Sequence, residues 1–169
     1  MAVLTILQYP DPRLRRRAAA VTVFDAALAR LAEDLLETLY ARGGIGLSAP
    51  QVGDPRQVAV ADLSGTRSAP CIYVNPEILT RSRTAIVEES CLSVPGVVGN
   101  VLRSTRVRVR AQDLTGARFE RDLADMDAVC MQHEIDHLAG KLFIDRLSPL
   151  RRLRLWASAA SARQSASAP

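Results

Sequence analysis

QHEIDHLAG, residues 132–140, carries two histidines four apart with a glutamate directly after the first. On a helix, positions i and i+4 lie on one face, so His133 and His137 can point at a single ion. Glu134 sits about 100° further round the helix. It is not forced to be a ligand and is left to act as a general base on water. A catalytic metal site usually takes three protein ligands and keeps one position for water. The stretch therefore predicts a helix, here from about Asp125 to Ala139, that docks against whatever segment supplies the missing ligand. Asp122 or Asp125 is expected to cap its start and Gly140 to end it.

That ligand has to come from upstream. His133 and His137 are the only histidines, and no glutamate follows Glu134. The later acids are Asp136, inside the motif, and Asp145, in KLFIDRLSP, which reads as a structural acid beside a buried strand or turn. The candidates are the three cysteines and several upstream carboxylates; of the cysteines, Cys130 lies on the helix and Cys71 lies in the apolar run CIYV. Both read as core thiols. Cys91 differs, because EESCLSVPG places it between two acids and a Ser-Val-Pro-Gly turn where a side chain can project into a cleft. Nearby carboxylates oppose ionisation of a thiol, and a bound dication reverses that effect.

The rest of the chain fits one globular domain of α+β type. It has 169 residues, 48% of them hydrophobic, and no apolar run long enough to span a bilayer. The start, MAVLTILQYPDPRLRRR, is not a secretory signal, since its basic cluster follows the apolar residues. Three cysteines form no paired framework, which points to a reducing compartment. The net charge is +4, with one lysine among 22 basic residues. It serves solubility and gives a modest attraction to acidic surfaces. Aromatics are 4% and not spaced as stacking platforms, so specific nucleic-acid reading is not expected.

A helix is predicted from about Asp25 to Arg42, where Leu28, Leu31, Leu35 and Leu39 recur at helical spacing before Gly43 and Gly44. GGIGLSAPQVG follows. Its Gly44 and Gly46 either end the helix or let a substrate backbone come close. A nucleotide-binding loop is a poor fit, because no Lys-Ser/Thr follows and the G-x-G-x-x-G spacing is absent. Strands are predicted at Gln57–Leu63, Cys71–Val74, Glu77–Thr80, around Arg106–Ala111, and at Ala117–Arg121 after a Thr115-Gly116 turn. A short basic helix around Leu150–Ala157 and a disordered Ala/Ser-rich tail complete the chain, so residues 1–149 form the expected catalytic domain and 150–169 an appendage.

Three segments together resemble the peptide deformylases. Gly44-Ile45-Gly46-Leu47-Ser48-Ala49-Pro50-Gln51 is similar to that family's G-φ-G-φ-A-A-x-Q element, where φ is apolar. Glu89-Ser90-Cys91-Leu92-Ser93 is similar to E-G-C-L-S, and Gln132 through Leu138 matches Q-H-E-x-D-H-L. ILQYPDPRLR, YVNPEI and GKLFIDRLSP resemble the family as well. The resemblance implies antiparallel β-sheets packed around a central C-terminal helix carrying HExxH. It also implies one divalent ion held by Cys91, His133 and His137, commonly Fe(II), with Zn(II) also bound.

The implied activity removes the formyl group from the N-terminal formyl-methionine of nascent polypeptides and releases formate. Glu134 would be the base, and Gln51 and the Leu92 N–H the oxyanion donors. Gly44, Ile45, Gly46, Glu89, Met126, Val129 and Cys130 would serve the substrate. Met126, Val129 and Cys130 also fit a purely core face of the helix. Asp136 reads equally as a helper of the histidines or as an exposed helix acid. A cytoplasmic monomer is expected, and the basic segment around Arg151, Arg152 and Arg154 reads either as a transient contact with ribosomal RNA or as a solvated helix end. Two positions depart from the motifs. Ser90 replaces a glycine, at a steric cost if the site needs positive φ or close approach of the substrate, and Ser48 replaces an alanine, adding a hydroxyl that needs a partner if buried.

Overall fold

The computed structural model describes residues 2–152. The first helix, α1 (Ala26–Arg42), forms as expected. Asp25 caps it by accepting from the Leu28 N–H, and Gly43 ends it in a left-handed conformation. Leu28, Leu35 and Leu39 on its inner stripe are fully buried. They pack with Leu47, Val58, Val60 and Val74 in one cluster of the core. Full burial of such a side chain contributes about 1.5–3 kcal/mol.

Five antiparallel strands follow in chain order and in spatial order, β1 (Gly46–Ser48), β2 (Val58–Ala61), β3 (Cys71–Cys91), β4 (Val94–Gln112) and β5 (Arg118–Ala124). They are hydrogen-bonded into one sheet rather than several. Two runs expected to be separate, Cys71–Val74 and Glu77–Thr80, belong to β3, which continues to Cys91. The apparent break at Asn75-Pro76 is a register shift between Val74 and Glu77. Proline has no N–H for the ladder, and a bulge is where a strand tolerates it. Asn75 takes a positive φ there, and its side chain bonds the Val21 backbone and Gln112.

The turn between β3 and β4 is Leu92-Ser93, not Ser-Val-Pro-Gly, because Val94 already pairs with Cys91. Cys91 therefore ends a strand. Ser90 pairs with Val98 inside the ladder and is not among the positive-φ residues, so the cost foreseen for a positive φ does not arise, while Ser90 itself lines the cleft beside Cys91.

The second helix, α2 (Asp125–Leu138), carries His133, Glu134 and His137. Neither expected aspartate caps it. The N-cap is Ala124, Asp122 lies on β5 and pairs with Arg108 of β4, and Asp125 is the first helical residue, at φ +50. Gly140 follows the C-cap at φ +71 and donates its N–H to His137 O at 3.0 Å. Gln132 pins α2 to β4, because its side chain accepts from the Ser104 N–H and donates to the Ser104 carbonyl.

KLFIDRLSP folds as a 3-10 turn, Phe143–Arg146. Leu142, Phe143 and Ile144 are buried, and they join Leu7, Leu14 and Cys91 in a second cluster. Asp145 is structural, as expected, since it ion-pairs with Arg15 and accepts from the Leu142 N–H. Residues 149–152 are helical, while the remainder of the expected basic helix and tail lies outside the described residues. Among the described residues no helix is long and apolar enough to cross a membrane.

Candidate metal centre

Three donor atoms meet between the end of β3 and the buried face of α2. Cys91 Sγ lies 3.2 Å from His137 Nε2, which lies 3.2 Å from His133 Nε2. All three fall within 4.8 Å of one another. Two ligands on one tetrahedral zinc-like ion are separated by about 3.3–3.6 Å, given metal–nitrogen and metal–sulfur bonds near 2.0–2.3 Å. The observed triangle therefore fits a single ion. Of the three cysteines, the one at the strand end is the one whose sulfur reaches the histidine rings. Cys130 is buried within another cluster of the core, and Cys71 is half-buried beside Arg121 rather than fully in the core.

A buried charge network holds His133, whereas the buried His137 Nδ1 has no hydrogen-bond partner among the described residues. His133 Nδ1 bonds Glu89 Oε2 at 2.8 Å, which leaves Nε2 for the donor triangle. Glu89 receives two bonds from Arg103, at 2.6 and 3.0 Å. Arg103 also donates to Asp136 at 2.6 Å, and Asp136 in turn binds Arg146 at 2.7 and 2.6 Å. Burial alone would raise the Glu89 carboxyl, but the hydrogen bonds from His133 and Arg103 hold it at about 2. Burial works against a charged His133, yet contacts with Cys91 and Glu89 outweigh it and hold the ring at about 10. Surroundings that favour a proton this strongly also favour a dication in its place. His137, fully buried and beside His133, is pushed well below the usual imidazole range, which keeps a lone pair free.

Asp136 is neither a direct helper of the histidines nor an exposed helix acid. It is buried and reaches Glu89 only through Arg103. Sequence reasoning missed Arg103, although a signal was present. Val101, Val107, Val109 and Ala111 face the core at odd positions of β4. Arg103 stands in phase with them and is 3% exposed. An arginine on the apolar phase of a strand requires buried counter-charges.

A cleft of about 370 Å³ opens beside the triangle. It is lined by every residue expected there, Gly44, Ile45, Gly46, Gln51, Glu89, Leu92, Met126, Val129, Cys130 and Glu134 included. Ile45 and Met126 are 44% and 48% exposed, so Met126 belongs to the cleft wall and not to a core face. Val129 and Cys130 are buried behind it. Gly46 is needed for close approach, because a Cβ there would fall 2.6 Å from both Cys130 Sγ and Glu134 Oε1. Burial raises the Glu134 carboxyl to about 7, against the opposing pull of His133 and Ser48. Its Oε2 is buried with no hydrogen-bond partner among the described residues. Gln51 Nε2 donates to Ser93 Oγ at 3.2 Å and lies 3.7 Å from Cys91 Sγ.

The family model for polypeptide deformylase matches residues 3–153. The chain belongs to the polypeptide deformylase family. It is 52% identical over 157 residues to the peptide deformylase of Alkalilimnicola ehrlichii, covering 92% of this chain and 88% of the relative. It is 48% identical over 155 residues to that of Nitrosococcus oceani, covering 92% and 93%. The crystal structure of a peptide deformylase from Legionella pneumophila superposes with a TM-score of 0.90 at 41% identity, over 99% of this chain and all of that one. Membership makes the chain a hydrolase of a metal-dependent family, and its antiparallel sheet with helices is the deformylase fold.

Proposed function

We propose that the chain removes the formyl group from the N-terminal formyl-methionine of newly made polypeptides and releases formate, using one divalent ion held by Cys91, His133 and His137. The observation that carries the reading is the meeting of the three donor atoms, with His137 Nε2 at 3.2 Å from both of the others and all within 4.8 Å, beside a buried carboxylate that lines the same cleft. Fe(II) is the ion we favour, with Zn(II) an alternative that the same donors suit. When bound, the ion supplies Lewis acidity that brings water towards ionisation near neutral pH.

Glu134 accepts the proton of the attacking water and passes it to the departing amine. A carboxyl held at about 7 can both take and return a proton at working pH. Gln51 Nε2 and the Leu92 N–H donate to the oxygen on which charge develops, and one such donor typically contributes about 2.7–4 kcal/mol to the transition state. Glu89 fixes the His133 tautomer, as carboxylate partners of ligand histidines do. The methionine side chain enters between Ile45, Met126, Val129 and Cys130. The substrate backbone runs along Gly44–Gly46 as an added strand.

In this reading α2 is the central helix, residues 1–149 form the catalytic domain, and the protein works as a cytoplasmic monomer on nascent chains. The basic segment from residue 150 onward touches the ribosome. Truncating 150–169 and following ribosome co-sedimentation tests that contact. The main test is an anaerobic preparation assayed for metal content and for formate release from formyl-Met and unformylated peptides, with Glu134→Gln in parallel. We expect one ion in both proteins and formate only from the native one. A metal-loaded native protein without formate release would refute the reading.

A further inference from the structure

Ser48 occupies a position where the family motif has alanine, and it is completely buried. A buried hydroxyl is costly unless it is bonded, so its partner is informative. Ser48 Oγ, which also lies beside the Glu134 carboxyl as a competing acceptor for its one proton, donates to Gln51 Oε1 at 3.0 Å, and the Ser48 N–H donates to the same oxygen at 2.9 Å. At the other end of that amide, Nε2 donates to Ser93 Oγ and faces Cys91 Sγ. The terminal torsion of glutamine is soft and roughly two-fold, so its neighbours decide which end faces the cleft. A flipped amide would set Oε1 against the sulfur and the NH2 group against a donor N–H. Of these contacts, the hydroxyl is the one that alanine would delete from the Oε1 end.

We propose that Ser48 is a positioning residue whose hydroxyl, together with its own N–H, occupies both lone pairs of Gln51 Oε1 and keeps the Gln51 N–H groups turned towards the metal ligands. The donor is then already aimed when charge appears on the formyl oxygen, and no reorganisation is needed at that moment. The inference rests on the reading of Gln51 as an oxyanion donor. It adds a determinant of turnover that alanine at this position cannot supply.

The test is a coupled set on the metal-loaded enzyme. Turnover of a formyl-Met peptide is measured for wild type, Ser48→Ala, Gln51→Ala and the double variant. The Gln51 side-chain amide is followed by nitrogen-15 NMR in zinc-loaded protein. Losing one buried hydrogen bond should lower kcat about 3–10-fold in Ser48→Ala, with KM within about 2-fold of wild type. The same change should have no effect in the Gln51→Ala background. The Gln51 amide protons should shift and exchange faster with solvent. Ser48→Cys, similar in size but a weak donor, should move kcat in the same direction, which separates a lost hydrogen bond from lost packing.

Unchanged kcat in Ser48→Ala, or unchanged Gln51 amide signals, would overturn the proposal. A loss that persists in the Gln51→Ala background would overturn it too, and would assign the hydroxyl to Glu134. Full kcat in Gln51→Ala would instead defeat the oxyanion reading, and the NMR arm would still decide whether the hydroxyl holds the amide.

Discussion

Arg103→Met removes the cation that, among the described residues, joins Glu89 to Asp136. Its side chain is 2% exposed and makes three charge-assisted hydrogen bonds, two to Glu89 and one to Asp136. Breaking a buried pair by removing one partner typically costs about 3–5 kcal/mol. The lower end applies here. Asp136 keeps both bonds from Arg146, and Glu89 keeps His133, so neither carboxylate is wholly orphaned. We expect a loss of about 3 kcal/mol at pH 7, read by urea denaturation of chelator-treated protein.

The loss should depend on pH, with a definite sign. Glu89 has its folded pKa depressed from 4.5 to about 2. Its contribution is therefore present above about pH 4.5 and is lost as pH falls through about 2. That shift corresponds to on the order of 3 kcal/mol. Without Arg103 much of this term is missing, so the gap between wild type and variant should be widest at neutral pH and close on acidification through this window. Metal affinity should fall about 10–100-fold, because the carboxylate that orients His133 is no longer held. A variant within about 1 kcal/mol of wild type at pH 7, or a gap constant down to pH 3, would refute this account of the network.

Cys91→Ser exchanges a soft thiolate for a hydroxyl, so the purified variant should lose most of its metal on dialysis, measured by elemental analysis, while keeping its far-UV circular dichroism. Gly46→Ala places a methyl group against Cys130 and Glu134. It should destabilise by about 1–3 kcal/mol and lower turnover more than it raises KM, as steady-state kinetics would show. Asp25→Ala deletes the α1 cap. It should cost about 1 kcal/mol of stability in a denaturation experiment and leave turnover unchanged, because the cap lies outside the cleft.

Local chemistry was legible in the chain wherever it repeats at short range. The leucine stripe of α1, the Gly43 and Gly140 stops and the one-turn spacing of His133 and His137 all follow from backbone periodicity. The motif segments identified the cleft residues for the same reason, since each is a contiguous run. By contrast, β3 continued through Asn75-Pro76 because cross-strand pairing outweighed a local break signal, and the Asn75 side chain bonds that support the bulge reach Val21 and Gln112, far away in sequence. Cys91 read as a ligand by elimination, but its distance to the rings depends on the β3–β4 hairpin docking against α2. The link from Asp136 through Arg103 to Glu89 exists only once β3, β4 and α2 are packed together. Electrostatic partners share no sequence period, and burial, which only the packed state creates, is what makes their charges matter.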